Sequence, residues 1–121
     1  MCQQLGIQQE VIPRIATAFG GGVGGTGSVC GALVGAVMAI GLRHGRQHPS
    51  ERDARVYALT QELRRRFEAE MGHIECRELT GMDLSTPEGV KRFYASDVPQ
   101  RVCLPAVGVA YGAVMELLEA R

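Results

Sequence analysis

The sequence predicts an all-α fold, a compact bundle of about five to six helices around a buried central helix rich in glycine and alanine. Apolar residues recur at helical spacing in several segments, and no segment shows the strict alternation of a strand. The run at residues 29–42 is apolar on all sides, as expected of a helix at the centre of a bundle. With 121 residues, the chain can form one domain, residues 1–121, with its own core.

The N-terminal part of the chain predicts a helix followed by a glycine-rich loop. Val11, Ile12 and Ile15 give residues 8–19 a helical apolar pattern. Residues 20–28 contain mostly glycine and break this pattern, so we expect an irregular loop whose backbone passes where side chains would obstruct it.

The central helix is predicted at residues 29–44. Ser28 is a plausible N-cap, and Gly45 is a plausible stop. Small residues lie four apart on one face, where they would let another helix approach closely: Gly31, Gly35 and Ala39. Each glycine costs about 1 kcal/mol of helix propensity, so close packing must compensate for it.

The third predicted helix opens at Ser50, with Asp53 in the capping-box position. It runs to about Met71 and ends at Gly72. Its buried stripe consists of Val56, Leu59, Leu63 and Phe67.

Two short helices follow. One covers residues 74–79 and stops at Gly81. The other has Thr86 as its cap and Pro87 at its first position, and it extends to about Ala95.

The last predicted helix runs from Gln100 or Arg101 to Ala120, with Pro105 in its first turn. Its inner face is predicted to contain Cys103, Val107, Ala110, Tyr111, Val114 and Leu118.

Composition excludes several classes of partner. Thirteen basic and thirteen acidic residues give a formal net charge of zero, which argues against nucleic-acid binding and membrane-surface binding. The longest apolar run is shorter than the roughly 20 residues that span a bilayer, so we expect no membrane span. No signal peptide is recognisable at the start. We therefore expect a cytoplasmic protein, in which structural disulfides are rare.

The four cysteines are dispersed, at positions 2, 30, 76 and 103, and none forms a C-x-x-C pair. Cys30 and Cys103 are predicted in the first turns of helices, where the helix dipole lowers the pKa of a thiol. The thiolate is both the nucleophile and the metal ligand. The alternative is that these are ordinary buried thiols, which behave as small hydrophobes.

Four sequence motifs carry a family resemblance. Residues 19–22 read F-G-G-G, residues 30–35 read C-G-A-L-V-G, and residues 72–81 read G-H-I-E-C-R-E-L-T-G, with Cys103 further on. Together they resemble the C-GCAxxG-C-C family of redox-active proteins over about residues 7–118. The chain departs from the family pattern at Val29, where the family usually has glycine.

The resemblance implies an all-helical fold and a redox or metal-linked role. Similar domains are joined to haem-binding segments in split-Soret cytochromes, where an iron–sulfur centre is associated with them. We therefore expect an iron–sulfur cluster or metal ion, with Gly31 beside it, bound by Cys30, Cys76 and Cys103. Cys2 is a candidate for the first family cysteine, and His73 is a candidate for a further ligand.

Two other functions stay open from the residues. The chain could be a thiol–disulfide redox protein that uses Cys30 with Cys76 or Cys103. It could also be a helical interaction module with inert thiols, a homodimer for example, formed through small-residue faces. No nucleotide is expected, because the glycine-rich loop lacks the Lys-Ser/Thr pair of a P-loop and no strand precedes it. The sequence does not identify an electron-transfer partner.

Overall fold

The computed structural model describes residues 9–51 and 53–119, and its regular structure is helical, which confirms the predicted all-α fold. The α-helices are α1 (Val11–Ala16), α2 (Gly20–Val23), α3 (Gly31–His44), α4 (Ala54–Met71), α5 (Cys76–Thr80), α6 (Pro87–Ala95) and α7 (Leu104–Glu119). A 3₁₀ turn, Thr17–Phe19, follows α1, and a π-helical turn, Pro99–Cys103, leads into α7. In the described ranges, the extended pairing is a single antiparallel bridge between Val29 and Glu75.

Helices α3, α4 and α7 pack against one another and form the core. The core residues that they contribute are Leu33, Ala36, Ala39, Ile40, Leu63, Phe67, Ala106, Ala110, Val114, Leu117 and Leu118. Helix α3 is not buried on all sides as predicted, because Val37 and Leu42 reach the surface. The centre of the bundle is therefore shared among α3, α4 and α7.

The π-helical turn and α7 form one continuous helical run, Pro99–Glu119. This run of 21 residues is long and apolar enough to cross a membrane by length and composition alone. The core helices of soluble proteins meet the same criterion, and α7 contributes Ala106, Ala110 and Val114 to the core. The absence of a membrane span stays a prediction.

Local capping signals predict several helix ends correctly. The hydroxyl of Thr86 accepts a hydrogen bond from the backbone N–H of Gly89 at 3.0 Å, with Pro87 at the first position of α6. Gly72 and Gly81 end α4 and α5 in the left-handed conformation. The ends of these three helices are thus encoded by residues within one turn.

Three predicted helix starts are wrong, and one of them is that of α5, which begins at Cys76 instead of Ile74. Helix α3 begins at Gly31 with Cys30 at its N-cap and has no side-chain cap, because the preceding Val29 pairs with Glu75 in the bridge. Helix α4 begins at Ala54, since the carboxylate of Asp53 caps it by accepting from the backbone N–H of Arg55 at 2.9 Å. Ser28 and Ser50 are therefore not the caps.

One further boundary differs, at the end of the first helix, and two others cannot be compared. The first helix stops at Ala16, three residues before its predicted end, and continues as the 3₁₀ turn. The predicted endpoints at Gln8 and Ala120 lie outside the described residues.

Candidate functional site

The glycine-rich loop folds tightly onto Cys76. Gly22 is buried with a φ of 74°, in the left-handed region that favours glycine. A Cβ placed on Gly22 would lie 2.7 Å from the Cβ of Cys76 and 2.5 Å from the backbone nitrogen of Ser28. The expectation of a loop that passes where side chains would obstruct it is thus confirmed at this glycine.

The same loop is hydrogen-bonded to the segment that carries Cys76. The N–H of Cys30 donates to the carbonyl of Ile74 at 2.8 Å, and the N–H of Cys76 donates to the carbonyl of Ser28 at 2.7 Å. These two bonds flank the bridge between Val29 and Glu75. In such an antiparallel bridge the residues that follow each member of the pair lie on the same side. Cys30 and Cys76 are therefore brought to one side of the bridge.

Cys103 is supplied by the π-helical turn, which ends at this residue and contacts α5. π-Helical turns are rare and occur frequently at functional sites. The helical run begins at Pro99, so Cys103 is not in its first turn as predicted. The wide turn instead places Cys103 where the last helix passes α5.

The three thiols line one cavity of about 590 Å³, together with residues of the glycine-rich loop and α6. The lining consists of Ala16, Phe19, Gly20, Gly21, Gly22, Gly25, Cys30, Gly31, Ala32, Gly35, Cys76, Leu84, Val90, Phe93, Tyr94, Cys103 and Val107. None of these described residues carries a charged side chain. The structure thus gathers Cys30, Cys76 and Cys103 at a single apolar cavity.

The electrostatic setting of the thiols differs from that expected. Burial raises the pKa of the Cys76 thiol, nearby Cys30 raises it further, and Thr80 opposes both effects. Burial also raises the pKa of the Cys103 thiol, with smaller contributions from Cys76 and Cys30. The expectation that a helix start lowers the pKa of Cys103 is wrong, because apolar surroundings disfavour the thiolate. Both thiols are therefore harder to deprotonate than a thiol in water.

The other predicted site residues have different positions. Gly31 lines the cavity, and a Cβ on it would lie 2.8 Å from the carbonyl oxygen of Phe19, so glycine permits this close contact. His73, the candidate for a further ligand, is exposed and lies before α5, outside that helix. Cys2 lies outside the described residues.

The predicted close helix approach at the small-residue face is not found at Gly35. A Cβ on Gly35 would meet no atom within 4 Å, and the residue lines the cavity. At the other end of this face, Ala39 is buried in the core. Gly35 therefore keeps space open beside the thiols instead of admitting a helix.

The donor set fits a metal ion or an iron–sulfur cluster by its chemistry. Thiolates are the ligands that iron–sulfur clusters, zinc and Cu(I) prefer, and the cavity presents three thiols without a carboxylate. Within residues 9–51 and 53–119, no three His, Cys, Asp or Glu side chains are gathered as a ready ligand group. The three thiols line the same cavity, but their sulfur atoms are not grouped as a ready metal-binding site.

Sequence reasoning missed the contribution of α6 and of the segment before it. Phe93 is buried, Tyr94 is exposed, and their rings meet edge to face with centroids 5.1 Å apart. Both line the cavity together with Leu84. Helical spacing places Phe93 on an apolar face, but no local pattern indicates that this face meets the thiols.

Comparisons with known proteins agree with the motifs. The family described as "Putative redox-active protein (C_GCAxxG_C_C)" matches residues 1–117. An uncharacterized protein of Archaeoglobus fulgidus is 34% identical over 88 residues, covering 65% of this chain and 58% of the relative. The chain thus matches little more than half the length of that relative. No solved structure matches. The chain belongs to the C_GCAxxG_C_C family.

Proposed function

We propose that this protein carries electrons through an iron–sulfur cluster or metal ion bound by the thiolates of Cys30, Cys76 and Cys103. The observation that supports this proposal is that three thiols far apart in the sequence line one cavity. A cluster would supply one-electron transfer at a potential set by its charge, hydrogen bonding and exposure.

The protein's own groups would favour negative charge at this position. Cys30 stands at the N-cap of α3, and no side chain caps the helix there. The first backbone N–H groups of a helix have no intrahelical acceptor, and the helix dipole favours negative charge at that end. Gly31 and Ala32, in the first turn, line the cavity. The start of α3 would therefore stabilise thiolates once a cation has displaced their protons.

Burial has a second consequence for the same site. Cys76 is only 8% exposed, so a bound group would be shielded from water and from oxidants at its inner end. A buried thiol with a raised pKa is a poor nucleophile on its own. The raised pKa disfavours thiol exchange, and it also means that a metal ion must displace the proton before Cys76 can bind it.

Anaerobic reconstitution with ferrous iron and sulfide tests the proposal. We expect coloured protein with bound iron and acid-labile sulfide, and loss of both in the variant with Cys30, Cys76 and Cys103 replaced by Ser. Cys2→Ser is measured alongside it, because Cys2 is the fourth cysteine of the chain and lies outside the described residues. Colourless, iron-free wild-type protein, or a triple variant that retains the iron, would contradict the proposal.

A thiol–disulfide couple is the second candidate, favoured by the bridge that brings Cys30 and Cys76 to one side. Diagonal neighbours across such a pair have Cα atoms about 7–8 Å apart. A disulfide needs about 7 Å or less, so some movement would be required. Thiol titration of unfolded protein, before and after reduction, tests this candidate, which predicts two more thiols after reduction. An unchanged count would rule it out.

A further inference from the structure

The thiol cavity is larger and more apolar than three sulfur ligands require. Its volume of about 590 Å³ lies within the range of about 300–1,000 Å³ that is usual for small-molecule sites. The residues that line it supply thiols, glycine backbone, aliphatic groups and two kinds of aromatic ring. No charged side chain is available in the described lining to pair with a charged ligand.

The cavity has an inner end and a mouth, which the exposure of its lining distinguishes. Cys76 and Phe93 are buried, with 8% and 7% of their surface exposed. Tyr94 is 74% exposed and Val107 is 51% exposed, so these side chains border the opening. Large exposed apolar groups beside a cavity are typical of a ligand-binding surface.

Gly35 also lines the cavity. It lies inside α3, where glycine costs about 1 kcal/mol of helix stability relative to alanine. No neighbouring atom would contact a Cβ at this position within 4 Å, so packing does not require glycine there. The missing side chain instead leaves the cavity unfilled.

We infer that the mouth of this cavity binds an uncharged aromatic ring compound, such as a quinone. Apolar walls and an edge-to-face aromatic pair, of which the Tyr94 ring is exposed, suit a flat neutral ring. An anion would lose its hydration there without gaining a charged partner. The binding of the ring compound does not depend on the proposed function. Only its role as an electron partner rests on that function.

Naphthalene is the neutral probe, and naphthalenesulfonate is its anionic counterpart. Each is titrated into the full chain, reduced and metal-free, while amide NMR shifts are recorded. We expect saturable shifts at cavity residues with naphthalene, and binding at least about tenfold weaker for the sulfonate. Absence of saturable binding, or equal affinity for the two probes, would overturn the inference.

Two glycine-to-leucine substitutions in α3 test where naphthalene binds. Gly35→Leu fills the cavity and should weaken naphthalene binding at least about tenfold. Gly41→Leu is the matched control, because Gly41 also lies in α3 with no atom within 4 Å of its Cβ position, and it does not line this cavity. Thermal unfolding of both variants verifies that they fold. Unchanged binding in folded Gly35→Leu protein, or equal loss in both variants, would contradict the assignment.

The proposed metal site and the inferred ring site can be refuted independently of each other. Iron and sulfide content, measured on reconstituted protein, reports only on the thiolate site. Naphthalene binding to metal-free protein reports only on the mouth of the cavity. Protein that binds iron but not naphthalene would support the proposed function and contradict the inferred ring site.

Discussion

Gly22→Ala is the substitution that most directly perturbs the contact between the glycine-rich loop and Cys76. The left-handed conformation at Gly22 costs a residue with a Cβ about 1–2 kcal/mol. The new Cβ would also approach the Cβ of Cys76 to 2.7 Å, and such overpacking costs about 1–3 kcal/mol. We therefore expect the free energy of unfolding to fall by about 2–5 kcal/mol in total.

Gly24→Ala separates the two contributions. Gly24 also has a positive φ, of 67°, but a Cβ there would meet no atom within 4 Å. Its substitution should cost only the conformational part, about 1–2 kcal/mol. Urea unfolding, followed by circular dichroism, measures both variants. Equal destabilisation of the two variants would refute the argument that the loop is packed against Cys76.

Three further predictions concern the cap of α6, the buried thiol and acid stability. Thr86→Ala removes the acceptor for the N–H of Gly89 and should lower the free energy of unfolding by about 1 kcal/mol in a urea titration. Because the pKa of the Cys76 thiol is raised, iodoacetamide should alkylate it more slowly in reduced, metal-free, folded protein at neutral pH than in urea-unfolded protein. Peptide mass spectrometry measures both rates. Equal rates would contradict the burial of Cys76. The backbone N–H of Arg55 lowers the pKa of Asp53, so its stabilising contribution is present above about pH 4 and is lost as the pH falls through the lowered pKa. Asp53→Asn should keep the cap and flatten this part of the acid unfolding curve; an unchanged curve would contradict the assignment.

Sequence reasoning succeeds where the cause is local. Thr86, Gly72 and Gly81 set helix ends through backbone groups within one turn, and the predicted ends match the structure. The all-α fold follows from helical periodicity in the same way. These features need no knowledge of distant contacts.

Sequence reasoning fails where a distant segment decides the outcome. The bridge between Val29 and Glu75 joins residues far apart in the chain, and it delays the start of α3 by two residues. The raised pKa of Cys103 has the same kind of cause, because it comes chiefly from burial in the folded protein. The contribution of Tyr94 to the cavity likewise depends on how α6 packs.

X-ray absorption spectroscopy at the iron edge, on anaerobically reconstituted protein, tests the central claim most directly. If the cavity thiols hold the metal, iron should be surrounded mainly by sulfur in wild-type protein and in Cys2→Ser, and this sulfur signal should disappear when Cys30, Cys76 and Cys103 are replaced by Ser. Iron bound only to oxygen or nitrogen in the wild-type protein, or a sulfur signal that survives the triple replacement, would contradict the account.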